Sequence, residues 1–183
     1  MAHQNVEIKA RCNRQDRIRE VLSSRDAVFK GTDHQIDTYF NVKTGRLKLR
    51  EGNIENCLIH YSRSDIEGPK LSEVDLYQTA PGSSLKDLLV KALGVLVIVD
   101  KRREIYFIGN VKFHLDEVKG LGDFVEIEAI DAEGSLGLDH IQRQCQSYRD
   151  LFNIADSDLV SCSYSDMLLD ASGSGRRDHY DKR

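Results

Sequence analysis

Hydrophobic and polar positions alternate with a period of two along most of this chain, and the period lengthens toward 3.6 in only a few places. "NVEIKAR" (Asn5–Arg11), "QIDTYFN" (Gln35–Asn41), "RLKLRE" (Arg46–Glu51), "NCLIHYSR" (Asn56–Arg63) and "KLSEVDLYQT" (Lys70–Thr79) read as strands between turn-like polar stretches. "VLVIVDKRREIYFI" (Val95–Ile108) reads as a long strand or a strand pair. "NVKFHLDEV" (Asn110–Val118) and "DFVEIEAI" (Asp123–Ile130) form a hairpin about "KGLG". Helical spacing appears over Arg14–Ser24, with Ile18, Val21 and Leu22 on one side. It returns in "LKDLLVKAL", where Leu85, Leu88, Leu89 and Ala92 share a face, Ser83 or Ser84 supplies the cap and Gly94 the stop. Leu138–Phe152 is a third helix with Leu138, Ile141, Cys145, Tyr148 and Phe152 inward, and "YSDMLL" sits in a short fourth. The layout is α+β, with about eight strands in one domain spanning 1–170; a sheet of that size stays open or closes into a barrel. Residues 171–183, with "SGSGRRDHYDKR", have the composition of a disordered tail.

Sorting the strands by parity brings charge into the picture. Lys48 and Arg50 oppose Leu47 and Leu49; Lys101 and Arg103 share a row with Val97 and Val99; Lys112, His114 and Asp116 oppose Phe113 and Leu115; Glu126 and Glu128 oppose Val125 and Ile127. A half-buried strand alternates in this way without any function. Here, however, the charged rows hold few Ser, Thr or Gln, and they segregate by sign. A closed barrel with an apolar, helix-covered exterior and a charged lumen accounts for both features. Bare like charges in such a lumen cost several kcal/mol, so a polyanion on the basic rows, bridged by a hard divalent cation to Glu126 and Glu128, is the ligand expected. A metal–triphosphate is the smallest common molecule of that kind.

Composition narrows the partners. With 183 residues, 40% hydrophobic, 31% charged and net charge −4, the chain has globular composition and no global attraction for nucleic acid. Cys12, Cys57, Cys145 and Cys162 lack metal-site spacing and read as reduced thiols. The longest apolar run, "VLVIV", is too short to span a bilayer, so a soluble, cytoplasmic protein with no membrane partner is expected.

These residues resemble those of the CYTH domains, or triphosphate tunnel metalloenzymes, and most of all the class IV adenylyl cyclases. The family's Glu-x-Glu-x-Lys signature stands here as "NVEIK", with Glu7 and Lys9 matching and Asn5 in place of the first Glu. "LKLRE", "HYSR", "DKRREIYFIG", "LDEVKGLGDFVEIE" and "SYSDMLL" carry the likeness over residues 4–169. The resemblance implies an eight-stranded antiparallel barrel. In it Lys9, Lys48, Arg50, Arg63, Lys101 and Arg103 bind phosphate, with Lys9, Arg63, Lys101 and Arg103 closest to catalysis. Glu7, Asp116, Glu126 and Glu128 bind Mg²⁺ or Mn²⁺; Asn5 removes one carboxylate, which leaves one metal or two open. His114 and Tyr164 are accessory candidates. The small-molecule partner implied is ATP or tripolyphosphate, and a homodimer is compatible with the pattern. Three functions fit: an adenylyl cyclase, a triphosphatase acting on tripolyphosphate, a nucleoside triphosphate or thiamine triphosphate, and a non-catalytic module that binds such anions.

Overall fold

The computed structural model describes residues 3–63 and 70–173, with side chains undescribed at 3–4, 63 and 70–73. The tail expected at 171–183 therefore lies outside the described residues from 174 onward. Eight strands follow in the order β1 (His3–Arg11), β2 (Val28–Phe40), β3 (Arg46–Glu51), β4 (Cys57–Arg63), β5 (Lys70–Gln78), β6 (Val95–Ile108), β7 (Val111–Val118) and β8 (Gly122–Asp131). Every neighbouring pair is antiparallel, and the sheet closes as β1-β5-β4-β3-β2-β6-β7-β8, with β8 returning to β1. Closure removes the free edges that an open sheet would expose.

Helices α1 (Gln15–Ser24) and α3 (Leu138–Leu151) cover one side of the barrel. Their Ile18, Leu22, Ile141 and Cys145 pack with the outward residues of β1, β7 and β8, among them Val6, Ile8, Phe113 and Ile127. Helix α2 (Leu85–Leu93) covers Phe40 and Leu49 with Leu89. The apolar, helix-covered exterior is thus present over β1, β7 and β8 and at Phe40 and Leu49, whereas Leu96, Ile98 and Tyr77 are exposed. The inward assignment of Leu138 is corrected, since it is 38% exposed; Leu88, on the face shared with Leu89, is 62% exposed. Ser84 takes the N-cap position of α2 but makes no side-chain capping bond.

Strand β2 starts at Val28, seven residues before the alternation "QIDTYFN" begins. Its extra length pairs with the distal half of β6, and a register shift falls between Phe29 and Gly31. Gly31 has φ +129°, a backbone conformation suited to glycine. At the other hairpin, Gly120 (φ +81°) and Gly122 (φ +93°) turn the chain between β7 and β8 as "KGLG" implies. A short helix, α4 (Tyr164–Ala171), closes one end of the barrel; Ser163 and Asp166 form a capping box at its start. No helix among the described residues is long and apolar enough to cross a membrane.

Candidate functional site

Strand alternation sends every second side chain inward, and these enclose a cavity of about 270 Å³. Its described lining includes six cations, Lys9, Lys48, Arg50, Lys101, Arg103 and Lys112, and five carboxylates, Glu7, Asp37, Glu55, Glu126 and Glu128. Five of the six expected phosphate-binding residues therefore converge. The side chain of the sixth, Arg63 at the end of β4, lies outside the described residues.

The cations are not bare, which corrects the expectation of uncompensated basic rows. Asp37, 1% exposed, accepts from Arg50 Nε (2.8 Å) and Nη2 (2.9 Å), from Lys101 Nζ (2.6 Å) and from Lys48 Nζ (3.3 Å). Glu55, from the loop joining β3 and β4, accepts from Arg50 Nη1 (2.8 Å) and Lys112 Nζ (2.5 Å). Arg103 grips Asp116 through Nε (2.6 Å) and Nη2 (2.5 Å) and also reaches Glu126 (2.7 Å). Lys9 pairs with the other oxygen of Glu126 at 3.1 Å. Burial would raise Asp37, but Arg50, Lys101 and Lys48 outweigh it and hold the carboxyl well below its usual range. Asp116 and Glu126 follow the same logic: burial acts upward, and Arg103 above all brings each below its ordinary value.

Lys101 is the exception among the cations. Burial pushes its ammonium down to about 7; Asp37 opposes the shift, while Arg50, Arg103 and Lys48 add to it. His114, 3% exposed, is pushed down to about 4 by burial, with Arg103 and Lys112 acting the same way, so its imidazole is neutral at neutral pH. Its Nδ1 lies 3.1 Å from Glu126, and its Nε2 is buried with no hydrogen-bond partner. Tyr164 donates its hydroxyl to Asp116 (2.7 Å) and lies under Lys9, whose Nζ stands 4.1 Å from the ring centroid. Both accessory candidates are thus in the lumen.

The charged expectation also fails for part of the lumen. Tyr39, Cys57, Ile59, Tyr61, Val74 and Leu76 form an apolar flank of the same cavity. Tyr39, Cys57, Ile59 and Tyr61 share one buried cluster with Val99, Val118, Phe124, Val160 and Tyr164. Parity puts Val99 in one row with Lys101 and Arg103, but it does not report where along the strand charge gives way to carbon.

The four expected metal ligands divide. Both oxygens of Asp116 and of Glu126 are engaged by cations. Glu7 stands directly across from Glu128 in the β1–β8 register. Asn5 donates Nδ2 to Glu128, while its Oδ1 is buried without a partner. Two facing carboxylates and an open amide oxygen are the hard donors that Mg²⁺ or Mn²⁺ takes, so this patch fits such an ion. No group of three or more His, Cys, Asp or Glu stands together in metal-binding geometry among the described residues.

Asp37, Glu55 and Lys112 had no assigned role in the sequence reading. The parity of "QIDTYF" puts Asp37 in one row with Gln35 and Tyr39, and that signal could have found it. Lys112 was on the inner row already. Glu55 lies in a loop, where no periodicity applies.

The profile of the CYTH domain matches residues 3–160. No curated protein matches the chain. Among solved structures, a Pyrococcus horikoshii protein is 23% identical, with a TM-score of 0.70 over 88% of this chain and 97% of its own. A candidate adenylate cyclase from Vibrio parahaemolyticus is 19% identical, with a TM-score of 0.71 over 90% and 97%. A candidate adenylyl cyclase from Hippeastrum with a dominant triphosphatase activity is 14% identical, with a TM-score of 0.59 over 98% and 100%. At these identities the structures share a fold with this chain. The chain belongs to the CYTH domain family, whose barrels are metal-dependent triphosphate tunnels.

Proposed function

We propose that this chain is a divalent-metal-dependent enzyme that acts on a triphosphate in its barrel, and that its reaction is the class IV-type adenylyl cyclase step. The observation that carries this is the mixed lining of the cavity: among its described residues six cations stand together with the carbon surface of Ile59, Tyr61, Val74 and Leu76. A polyphosphate suits the cations, and the carbon surface suits a base and sugar better than it suits inorganic tripolyphosphate. In the step itself the ribose 3′-OH attacks the α-phosphorus of ATP, the bond to the bridging oxygen breaks, and pyrophosphate leaves, with the hydroxyl proton passing to the pyrophosphate or to solvent. Cyclic AMP is the other product. Lys9, Lys48, Arg50, Lys101 and Arg103 hold the phosphates, fix them in line with the nucleophile and balance charge on the departing pyrophosphate. Arg103 can do this while remaining paired, because Nε and Nη2 serve Asp116 and Glu126 and Nη1 is left for a phosphate oxygen. A cation held by Glu7, Glu128 and Asn5 Oδ1 would supply further neutralisation of phosphate charge.

Hydrolysis is the second reading, since water can replace the 3′-OH before the same cations; it is also the dominant activity of the Hippeastrum protein. Incubation with MgATP, MnATP and tripolyphosphate separates the outcomes. Cyclic AMP with pyrophosphate supports the cyclase, and orthophosphate supports the triphosphatase. Binding with no turnover leaves a module that only binds these anions, and removes the enzyme reading.

Binding should also move a proton. With Lys101 near 7, the empty site is largely deprotonated there at pH 8. A triphosphate beside the amine favours the ammonium, so binding takes up as much as one proton. Calorimetry of tripolyphosphate binding in two buffers of different ionisation enthalpy measures this uptake. Lys101→Arg, which stays charged at every working pH, should abolish the difference. Equal heats for wild type in both buffers would refute the assignment.

A further inference from the structure

Two arginines in the lumen make the same fork. Arg103 holds Asp116 through Nε and Nη2, and Arg50 holds Asp37 through Nε and Nη2. They differ at the remaining nitrogen. Nη1 of Arg103 has no hydrogen-bond partner among the described residues, whereas Nη1 of Arg50 donates to Glu55 Oε2 at 2.8 Å. The same carboxylate takes Lys112 Nζ at 2.5 Å and Gln35 Nε2 at 3.1 Å. Donors from β2, β3 and β7 thus converge on one anionic group, and the protein itself supplies it.

The loop that carries Glu55 is built to hold it there. Asp33 of β2 accepts from the backbone N–H groups of Ile54 (2.9 Å) and Glu55 (3.0 Å). Gly52 lies so close to Asp33 that a Cβ would stand 2.7 Å from both carboxylate oxygens. Asn56 closes the loop by bonding the N–H and C=O of Gly52. The backbone is therefore anchored, while the Glu55 side chain is 23% exposed and borders solvent. The Asp37 side chain, at 2%, does not.

We propose that Glu55 occupies one phosphate position of the tunnel when no substrate is bound, and that a phosphate chain long enough to reach Arg50 and Lys112 displaces it. The inference rests on the triphosphate reading of the tunnel. It makes Glu55 a specificity-determining residue for chain length. A short anion binds at Arg103 without disturbing it, and a long one has to compete with it. The returning carboxylate then displaces whichever product lies on Arg50 and Lys112.

The test is calorimetric binding of orthophosphate and tripolyphosphate, without metal, to wild type and to Glu55→Gln. Removing the competitor at a charge-assisted site should tighten tripolyphosphate roughly ten- to hundredfold. Orthophosphate should stay within about twofold, because its position does not involve Glu55. Glu55→Ala, also lacking the carboxylate, should shift tripolyphosphate in the same direction, and melting curves check that both variants fold. Equal tripolyphosphate affinity in wild type and variant, weaker binding in the variant, or an equal gain for both anions overturns the displacement. Failure of tripolyphosphate to bind either protein overturns the tunnel reading along with it.

Discussion

Arg103→Ala should melt roughly 6–20 °C below wild type, before any question of activity arises. The guanidinium is 3% exposed and bonds two carboxylates, Asp116 at 0% exposure and Glu126. Without it, the Asp116 carboxylate keeps only the Tyr164 hydroxyl among the described residues. Breaking one side of a buried pair leaves an uncompensated charge and costs about 3–5 kcal/mol, and each kcal/mol is worth about 2–4 °C in a chain of this size. Arg103→Lys should recover part of the loss, because an ammonium restores charge without the fork. Adding Asp116→Asn to Arg103→Ala should also recover part, since the orphaned charge is then gone. Thermal denaturation of the four proteins decides it. A variant as stable as wild type would mean that Arg103 is purely a phosphate ligand and that its carboxylate pairs carry no stability.

That expectation departs from what parity alone implies for Arg103, and the reason shows how far sequence pattern reaches. Short strands bounded by turns were legible: "RLKLRE" predicts Arg46–Glu51, and β3 spans those residues. The Val95–Ile108 stretch is likewise one strand end to end. Alternation also identified which cations point inward. It could not report what each one meets, because Asp37 approaches Lys101 from β2, 64 residues away in sequence. The first half of β2 was illegible for a similar reason. "VFKGTDH" does not alternate, and it becomes a strand because β6 extends far enough to pair with it around the bulge at Gly31. Leu88 and Leu138 lie on apolar helix faces yet remain exposed, since periodicity reports which residues share a face and not how much of that face a neighbour covers. The likeness to the family depended on residue identity at set spacings, and that survives ignorance of all these contacts.

The paired lumen also changes what an empty tunnel is. Among the described residues six cations and five carboxylates line it, so the repulsion expected of bare basic rows is largely cancelled internally. A triphosphate has to exchange ion pairs instead of merely filling a vacancy. Its affinity reflects the difference between phosphate and carboxylate as partners for the same cations, and it should fall with added salt more weakly than surface binding does, because these pairs are shielded from solvent.

Asp37→Asn tests this picture most directly, since Asp37 holds Arg50, Lys101 and Lys48 together. The amide keeps the shape and removes the charge, so three cations face a neutral group. Loss of a buried partner again costs about 3–5 kcal/mol, and tripolyphosphate should raise the melting temperature of the variant more than that of wild type, because it restores negative charge at the gap. The pH dependence carries a second signature. Asp37 has its folded pKa held well below the ordinary carboxylate value, as do Asp116, Glu55 and Glu126 to differing degrees. A depressed carboxyl contributes stability that is fully present above its unfolded pKa, about 4, and is lost as pH falls toward the folded value. Wild type should therefore lose stability steeply below about pH 4. Asp37→Asn lacks one of these contributions at every pH, so the gap between the two proteins should be widest near pH 7 and shrink on acidification. Urea denaturation of both at neutral pH and near pH 3 measures the gap. A variant as stable as wild type at pH 7, or a gap independent of pH, would show that Asp37 does not carry the three cations, and the description of the lumen as internally paired would fall with it.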